Sequence, residues 1–574
     1  MLSNNAGGVQ NDPVLGGYRV NAASAKYSRV VAAKVYGSVA RPRGYLFGAS
    51  GGAYQTVGGA ESTSGVWDGF VPMVFAVPNA IPSFISAQLL ATRVLHDKFP
   101  QIVDAVEPGG SGDPYAGLDS EQQSVLQEVT RIGLPLQGLW QYPAFNGGTL
   151  AAVAGGVRAL DPTYVTDFWT KPGYEGSDPS VRAARVQQDA TVAGVAGNPP
   201  NAVVLSGIAP NESLLAADLT VTSGPAMGKT LSIDTVAGQT VTFASPDPTV
   251  TGAIRPGDSV RIDNSWALAL QYYQRHSLPT PDEYQWNQYR DAHGAPIYPQ
   301  RPSLVGPFFA QVSGAAGISG HFHGKMIMVS SMMDDPSSAD WYRKEAQAVF
   351  GPDLDNHYRV WLTDSGIHDP LGPAVTPVPA AAAHAVSYVG EYEQALLDLD
   401  AWVAYGTPPP SSTNFFVDAN TEAHIPPTAG QRKGVQPVVT LSASACAGTV
   451  QRDDRARPTT SDDEQRRQCH GRDSAGPRVD VAVGQPVRLS VNAQVPPGAG
   501  KIVRVEWDFL GLGDYPVRPH LDHAEEQVKL DATYTFTRPG TYFPVVRVTS
   551  QRNGDVASPW GLIQNLGRVR VVVH

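Results

Sequence analysis

Cysteine is scarce in this chain of 574 residues, with only Cys446 and Cys469 present. Both lie in a polar segment, so pairing them would staple a loop and suit an oxidising compartment, and unpaired they are surface thiols. No run of about 18 apolar residues occurs, which excludes a transmembrane helix. Positive charge is in deficit: 42 Lys and Arg against 53 Asp and Glu leave a net charge of −11. That balance argues against nucleic acid or an anionic membrane as partner. Met1-Leu-Ser-Asn-Asn lacks both the basic and the apolar region of a signal peptide. Disorder is also excluded for most of the chain, since 42% of residues are hydrophobic and 17% charged. The length suffices for about three domains with sizeable cores.

Glycine is plentiful, and one cluster of it has a chemical meaning. The apolar run Tyr45–Phe47 leads into Gly48-Ala49-Ser50-Gly51-Gly52, after which Ala53 to about Glu61 can continue as a helix. Gly-x-Ser-x-Gly between a strand and a helix is the pattern of a nucleophile elbow. A serine on so sharp a turn is strained, and side chains two residues to either side are expected to collide, so glycines flank it. Exposed there, the hydroxyl can attack a carbonyl while the Gly51 N–H faces the developing oxyanion.

Four territories succeed one another along the chain. Residues 1–189 alternate helical and short apolar segments: a helix from Ala22 to about Tyr36 (apolar at Tyr27, Val30, Val31, Ala33 and Val35), the elbow, and a strand in Val66–Val74. A helix-rich stretch then suits a lid, including about Ser120–Ile132, with a capping box expected at Ser120 and Gln123. Between 190 and 265, short β-branched runs alternate with turn signals and predict an inserted β-domain. Its Ser223–Thr230 stretch nearly spells a phosphate-binding loop, but Ser223 stands at the first glycine position, so a hairpin turn is expected. Residues 266–410 resume the helix and strand alternation, 411–478 read as a linker, and 479–574 as a β-sandwich.

A nucleophilic serine needs a base and a group that orients it. In elbow architectures these come in the order serine, acid, histidine, each after a later strand. The strand candidate Lys325–Ser331 is followed by Met332-Met333-Asp334-Asp335-Pro336, and Tyr358–Leu362 by Thr363-Asp364-Ser365-Gly366-Ile367-His368. His368 is therefore the expected base for Ser50, with Asp334 as acid and Asp335 as the alternative. His321 and His323 would share a face if extended, but no carboxylate or cysteine at ligand spacing supports a metal site. No metal and no cofactor is expected. The aromatic cluster Trp266, Tyr272, Tyr273, Tyr284, Trp286 and Tyr289 reads as core, or as a surface for an aromatic or sugar-like substrate.

The stretch 23–70, with Gly48–Gly52 followed by Gly65-Val-Trp-Asp68-Gly69, resembles α/β-hydrolases of the tannase and feruloyl esterase type. That resemblance implies an α/β-hydrolase sheet with a large lid insertion and a Ser50, Asp334 (or Asp335), His368 triad. The cysteines that flank serine and histidine in that family are Ala49 and Asp369 here, so the match is to the wider fold. Farther on, Glu506-Trp507-Asp508-Phe509, Tyr534-Thr-Phe536 and Pro539-Gly540-Thr-Tyr542 are similar to a PKD domain, an immunoglobulin-like sandwich. Such modules act as spacers or bind polymers, carbohydrate or cell surfaces, which implies secretion.

With 49 residues before Ser50, the sheet is expected to lack its first strands and the second oxyanion donor. Leu2–Gly8 reads as the end of a preceding strand; a shortened sheet that suffices is the rival reading. The function expected is a secreted serine hydrolase cleaving carboxylic esters, polymeric or aromatic. The alternatives are a non-catalytic extracellular binding or adhesion protein, an inactive truncated esterase, and peptide or thioester cleavage on the same elbow.

Overall fold

A computed structural model describes residues 17–38, 40–208, 212–244, 246–315, 317–446 and 475–574. The reading of Leu2–Gly8 as a strand end lies outside them, as does Cys469; Cys446 is buried and disulfide-bonded.

The chain enters through helix α1 (Tyr18–Tyr36), which Gly37 ends in the left-handed conformation at φ 62°. Strand β1 (Tyr45–Ala49), helix α2 (Gly51–Ser62) and strand β2 (Gly69–Met73) come next. Asp68 ties the starts of the two strands together, accepting from Gly44 N at 2.8 Å and from Arg41 Nη1 at 2.8 Å. Four of the apolar positions on α1 are exposed: Tyr27, Val30, Val31 and Val35. Asn21, bonded to Gln55 at 3.0 Å, and Arg29, bonded to the Val66 carbonyl, hold the helix by polar contacts.

A long excursion separates β2 from the rest of its sheet. It starts with cap helices, among them Ala80–Leu95, Phe99–Val106 and Ser120–Ile132. The last is capped by Asp119 and Gln122, one residue earlier than the Ser120 and Gln123 pair, because Asp119 is the residue with extended backbone at the turn. Six strands then close into a barrel: β3 (Gln187–Ala196), β4 (Ala202–Ser206), β5 (Asp218–Val221), β6 (Thr230–Ala237), β7 (Thr240–Phe243) and β8 (Ser259–Asp263). Strict alternation puts Leu219, Val221, Val241, Phe243, Val260 and Ile262 inside, and closure leaves no unpaired edge. Residues 223–229 form the connection between β5 and β6.

The chain then rejoins the first sheet with β9 (Lys325–Ser331), helix Pro336–Phe350, β10 (Tyr358–Thr363) and helix Val389–Tyr405. The four strands lie in the order β1-β2-β9-β10, all parallel. Strands covered on both faces read as continuous apolar runs, as Met326–Val329 does. Parallel strands also deliver every carboxyl end to one edge, so the loops carrying Ser50, Asp334 and His368 leave from the same side.

The C-terminal part is a sandwich. Val438–Ala445, Pro486–Gln494 and Gln527–Thr535 form one sheet, and Lys501–Asp508, Val545–Gln551 and Ile563–Arg568 another. Its first strand lies inside the stretch expected to be a linker. Residues 411–446 are ordered in fact: a short hairpin, Phe416–Val417 with Ala423–His424, leans on the cap through Thr421 Oγ1 to Arg131 O at 2.7 Å. The apolar signal of Val438–Ala445 is diluted by Thr and Ser on its outer face, and only the pairing partner fifty residues on makes it a strand.

Candidate active site

Ser50 links β1 to α2 with φ 57° and ψ −116°, a region sparsely populated by residues other than glycine. Holding it there costs on the order of 1–3 kcal/mol, which the surrounding bonds must offset. Ser50 N donates to Met73 O at 3.1 Å, and its carbonyl accepts from Ala53 N at 2.9 Å. The two flanking glycines are not equivalent. A Cβ at Gly48 would lie 2.7 Å from the Gly52 carbonyl carbon, whereas one at Gly52 meets nothing within 4 Å. The sharp turn brings the strand at Gly48 against the backbone of the first helical turn; the expected collision at Gly52 does not occur. Gly51, the first helical residue, presents its N–H at the positive end of α2 beside Ser50.

His368 Nε2 lies 2.9 Å from Ser50 Oγ, and its Nδ1 lies 2.9 Å from Asp334 Oδ2. With Nδ1–H donated to the carboxylate, the Nε2 lone pair is free to accept the serine proton. Asp334 comes first among the causes that raise the His368 pKa above its ordinary value, and burial opposes it. The imidazole keeps 56% side-chain exposure at the mouth of the site, so solvent tempers that elevation.

Asp335 points elsewhere. Buried at 5% exposure, it caps helix Pro336–Phe350, accepting from Ser338 N at 3.2 Å, Ser337 Oγ at 2.5 Å, Ser338 Oγ, and Gln285 Nε2 at 3.1 Å. Burial pushes its carboxyl up to about 6. The Asp-Pro pair is thus an N-cap followed by proline in the first turn.

The loops bearing acid and histidine are zipped together: Met332 N donates to Thr363 O and Met333 N to Gly366 O, both at 3.0 Å. Ser365 takes a left-handed turn at φ 58°, which aims residues 366–368 at Ser50. A contact the sequence did not reveal comes from Tyr388, fully buried, whose hydroxyl donates to the His368 carbonyl at 3.1 Å. Its only sequence signal is its place at the start of the final helix.

A cavity of about 430 Å³ opens beside Ser50 and His368, walled by the cap helix Ala80–Leu95 and by residues 134–145. Such a volume suits a small organic ligand. The aromatic cluster faces inward instead: Tyr272, Tyr273, Trp286 and Tyr289 are buried in the cap core. The rings of His321 and His323 lie edge-on at 5.7 Å, and no group of three or more metal-binding side chains occurs among the described residues.

No family model and no curated protein matches the chain. A solved structure with some likeness is the CARDB domain of a protein from Pyrococcus furiosus, in complex with di-metal ions. It is 14% identical with a TM-score of 0.14, over 24% of this chain and 94% of that one.

Proposed function

We propose that this chain is a serine hydrolase of the α/β-hydrolase type that cleaves carboxylic esters through an acyl-enzyme on Ser50. The observation that carries the reading is the continuous hydrogen-bonded line from Ser50 Oγ through His368 to Asp334, two contacts of 2.9 Å, ending on a serine at positive φ. Such a line has one evident use. Ser50 Oγ attacks the ester carbonyl while His368 Nε2 takes its proton, and Asp334 holds the imidazolium in orientation. The oxyanion faces the Gly51 N–H. His368 then returns the proton to the departing alkoxide, and a water deprotonated by the same imidazole releases the acid.

The sandwich is read as a PKD-like module of a secreted enzyme, a candidate for contact with carbohydrate or a cell surface. The substrate is an ester, free or part of a polymer; no nucleic acid, membrane, metal or cofactor has a role in the reaction. The test is labelling with a fluorophosphonate and subsequent peptide mapping. Modification is expected at Ser50, absent in Ser50→Ala and at least a hundredfold slower in His368→Ala. Intact protein that stays unlabelled, or labels elsewhere, would sink the reading.

A further inference from the structure

We infer that the acyl group taken by this site is an uncharged hydrocarbon chain whose length is limited by Phe145. The inference rests on the reading of Ser50 as nucleophile. Away from the reacting groups, the 430 Å³ cavity is walled mainly by Ile81, Phe84, Ile85, Leu134, Leu139 and Met333. Among the described residues that line it there is no lysine or arginine. Its polar side chains outside the triad are Asp335, already spent on the helix cap, and two amides, Gln88 and Gln141. Gln141 Nε2 donates to Gly138 O at 3.2 Å.

Three classes of acyl group fare differently in such a space. An anionic one, as in a dicarboxylic half-ester, would lose its hydration without a cation to meet it and would stand near two aspartates, so it is rejected. A polyhydroxylated one would find too few partners, and each hydroxyl left unpaired costs about 1–3 kcal/mol. A hydrocarbon chain loses nothing by desolvation and gains with each buried methylene. Flexible aliphatic walls also adapt to the shape of such a chain.

One wall of the apolar cavity is shared with another groove. Phe145 lines this cavity and also a second, mixed groove between cap and barrel, where Thr92, His96 and Thr235 stand beside Phe99, Leu215 and Val236. Its ring is held edge-on to Phe99 at 6.1 Å. A chain reaching Phe145 meets a wall, and beyond the wall the surroundings are more polar than the cavity itself.

The test uses the full chain and p-nitrophenyl esters from acetate to decanoate, plus the hemisuccinate. We expect kcat/KM to rise about fourfold per added methylene, equivalent to ~0.8 kcal/mol, and then to level off. Butyrate should exceed hemisuccinate at least a hundredfold. Phe145→Ala should move the plateau to longer chains. Ile81→Lys, at a half-buried wall position, should raise the hemisuccinate-to-butyrate ratio at least tenfold. Fluorophosphonate labelling separates the two levels of the argument. A labelled Ser50 combined with acetate preferred, or hemisuccinate equal to butyrate, overturns the acyl inference alone. Failure to label Ser50 overturns both.

Discussion

Two adjacent aspartates at one strand end divide two tasks, and the physics of each is distinct. Asp334 reaches His368 from a position with 15% side-chain exposure, while Asp335 is turned inward to satisfy a helix N-terminus. From the residue pattern alone the two could not be separated, because a one-residue difference in where β9 ends exchanges their directions. Substitution separates them. Asp334→Asn should keep the fold and cut kcat by up to about 10⁴, because the amide favours the wrong imidazole tautomer. Asp335→Ala should instead lower stability by about 1–3 kcal/mol, through the lost cap and the Ser337, Ser338 and Gln285 partners left unbonded. Urea unfolding and ester kinetics on both variants check this; equal catalytic loss in the two would refute the division. Glu391 is another buried acid, accepting from Thr363 Oγ1 at 2.7 Å, and burial pushes its carboxyl up to about 8. A raised folded-state pKa means that the native state binds its proton more tightly than the unfolded chain does. This stability is present below the ordinary glutamate value and is lost as pH rises from about 4.5 towards 8. Glu391→Gln should flatten that decline, so the stability gap between variant and native chain should widen from pH 5 to pH 9. Parallel urea-midpoint curves across that range would refute the assignment.

At the level of elements, the turn at Ser50 depends on close backbone approach at Gly48 and not at Gly52. Gly48→Ala places a methyl against the Gly52 backbone, which can be relieved only by opening the turn that strains Ser50. We expect it to abolish labelling of Ser50 and to lower the melting temperature. Gly52→Ala enters open space inside a helix, so it should be neutral or stabilising by up to about 1 kcal/mol, with labelling retained. Thermal melts and labelling rates of the two variants provide the comparison, and a Gly48→Ala protein labelled at the native rate would contradict it. The elbow, β9 and β10 were legible because short apolar runs beside glycine or an Asp-Pro pair are local signals. The strands of the inserted β-domain were legible as β-branched runs between turn signals, while their closure into a barrel depends on the pairing of distant strands. What escaped depends on distant partners: Val438–Ala445 is a strand only because Pro486–Gln494 pairs with it, and Tyr388 matters only because β10 delivers the His368 carbonyl to it. The exposure of the apolar positions on α1 was not legible for the same reason, since periodicity says which residues share a side but not whether anything covers them.

Across the whole molecule, the sandwich sits directly on the part that carries Ser50, Asp334 and His368. Arg552 pairs with Asp398 at 2.8 Å, Tyr515 Oη donates to Ala382 O at 2.6 Å, and Gly390 packs against the Leu562 carbonyl. A three-way junction joins cap, loop and sandwich through Glu107, which meets His384 at 3.3 Å and Arg568 at 2.6 Å. Ala382, Ala383 and His384 belong to the same loop that carries His368, so the sandwich braces the chain that aims the imidazole. A spacer on a flexible tether would unfold separately from its enzyme; a brace sharing a core with the parallel sheet should not. Calorimetry of the native chain should therefore give one cooperative transition. Gly390→Ala, whose methyl runs into the Leu562 backbone, should force the surfaces apart. It should split or broaden that transition and slow the labelling of Ser50, although residue 390 touches neither the serine nor the cavity. Tyr515→Phe, which removes one bond and keeps the ring packed, should cost only about 1 kcal/mol and leave the transition single. Two independent transitions in the native chain, or a Gly390→Ala protein that labels at the native rate, would show that the sandwich is cargo and not a brace.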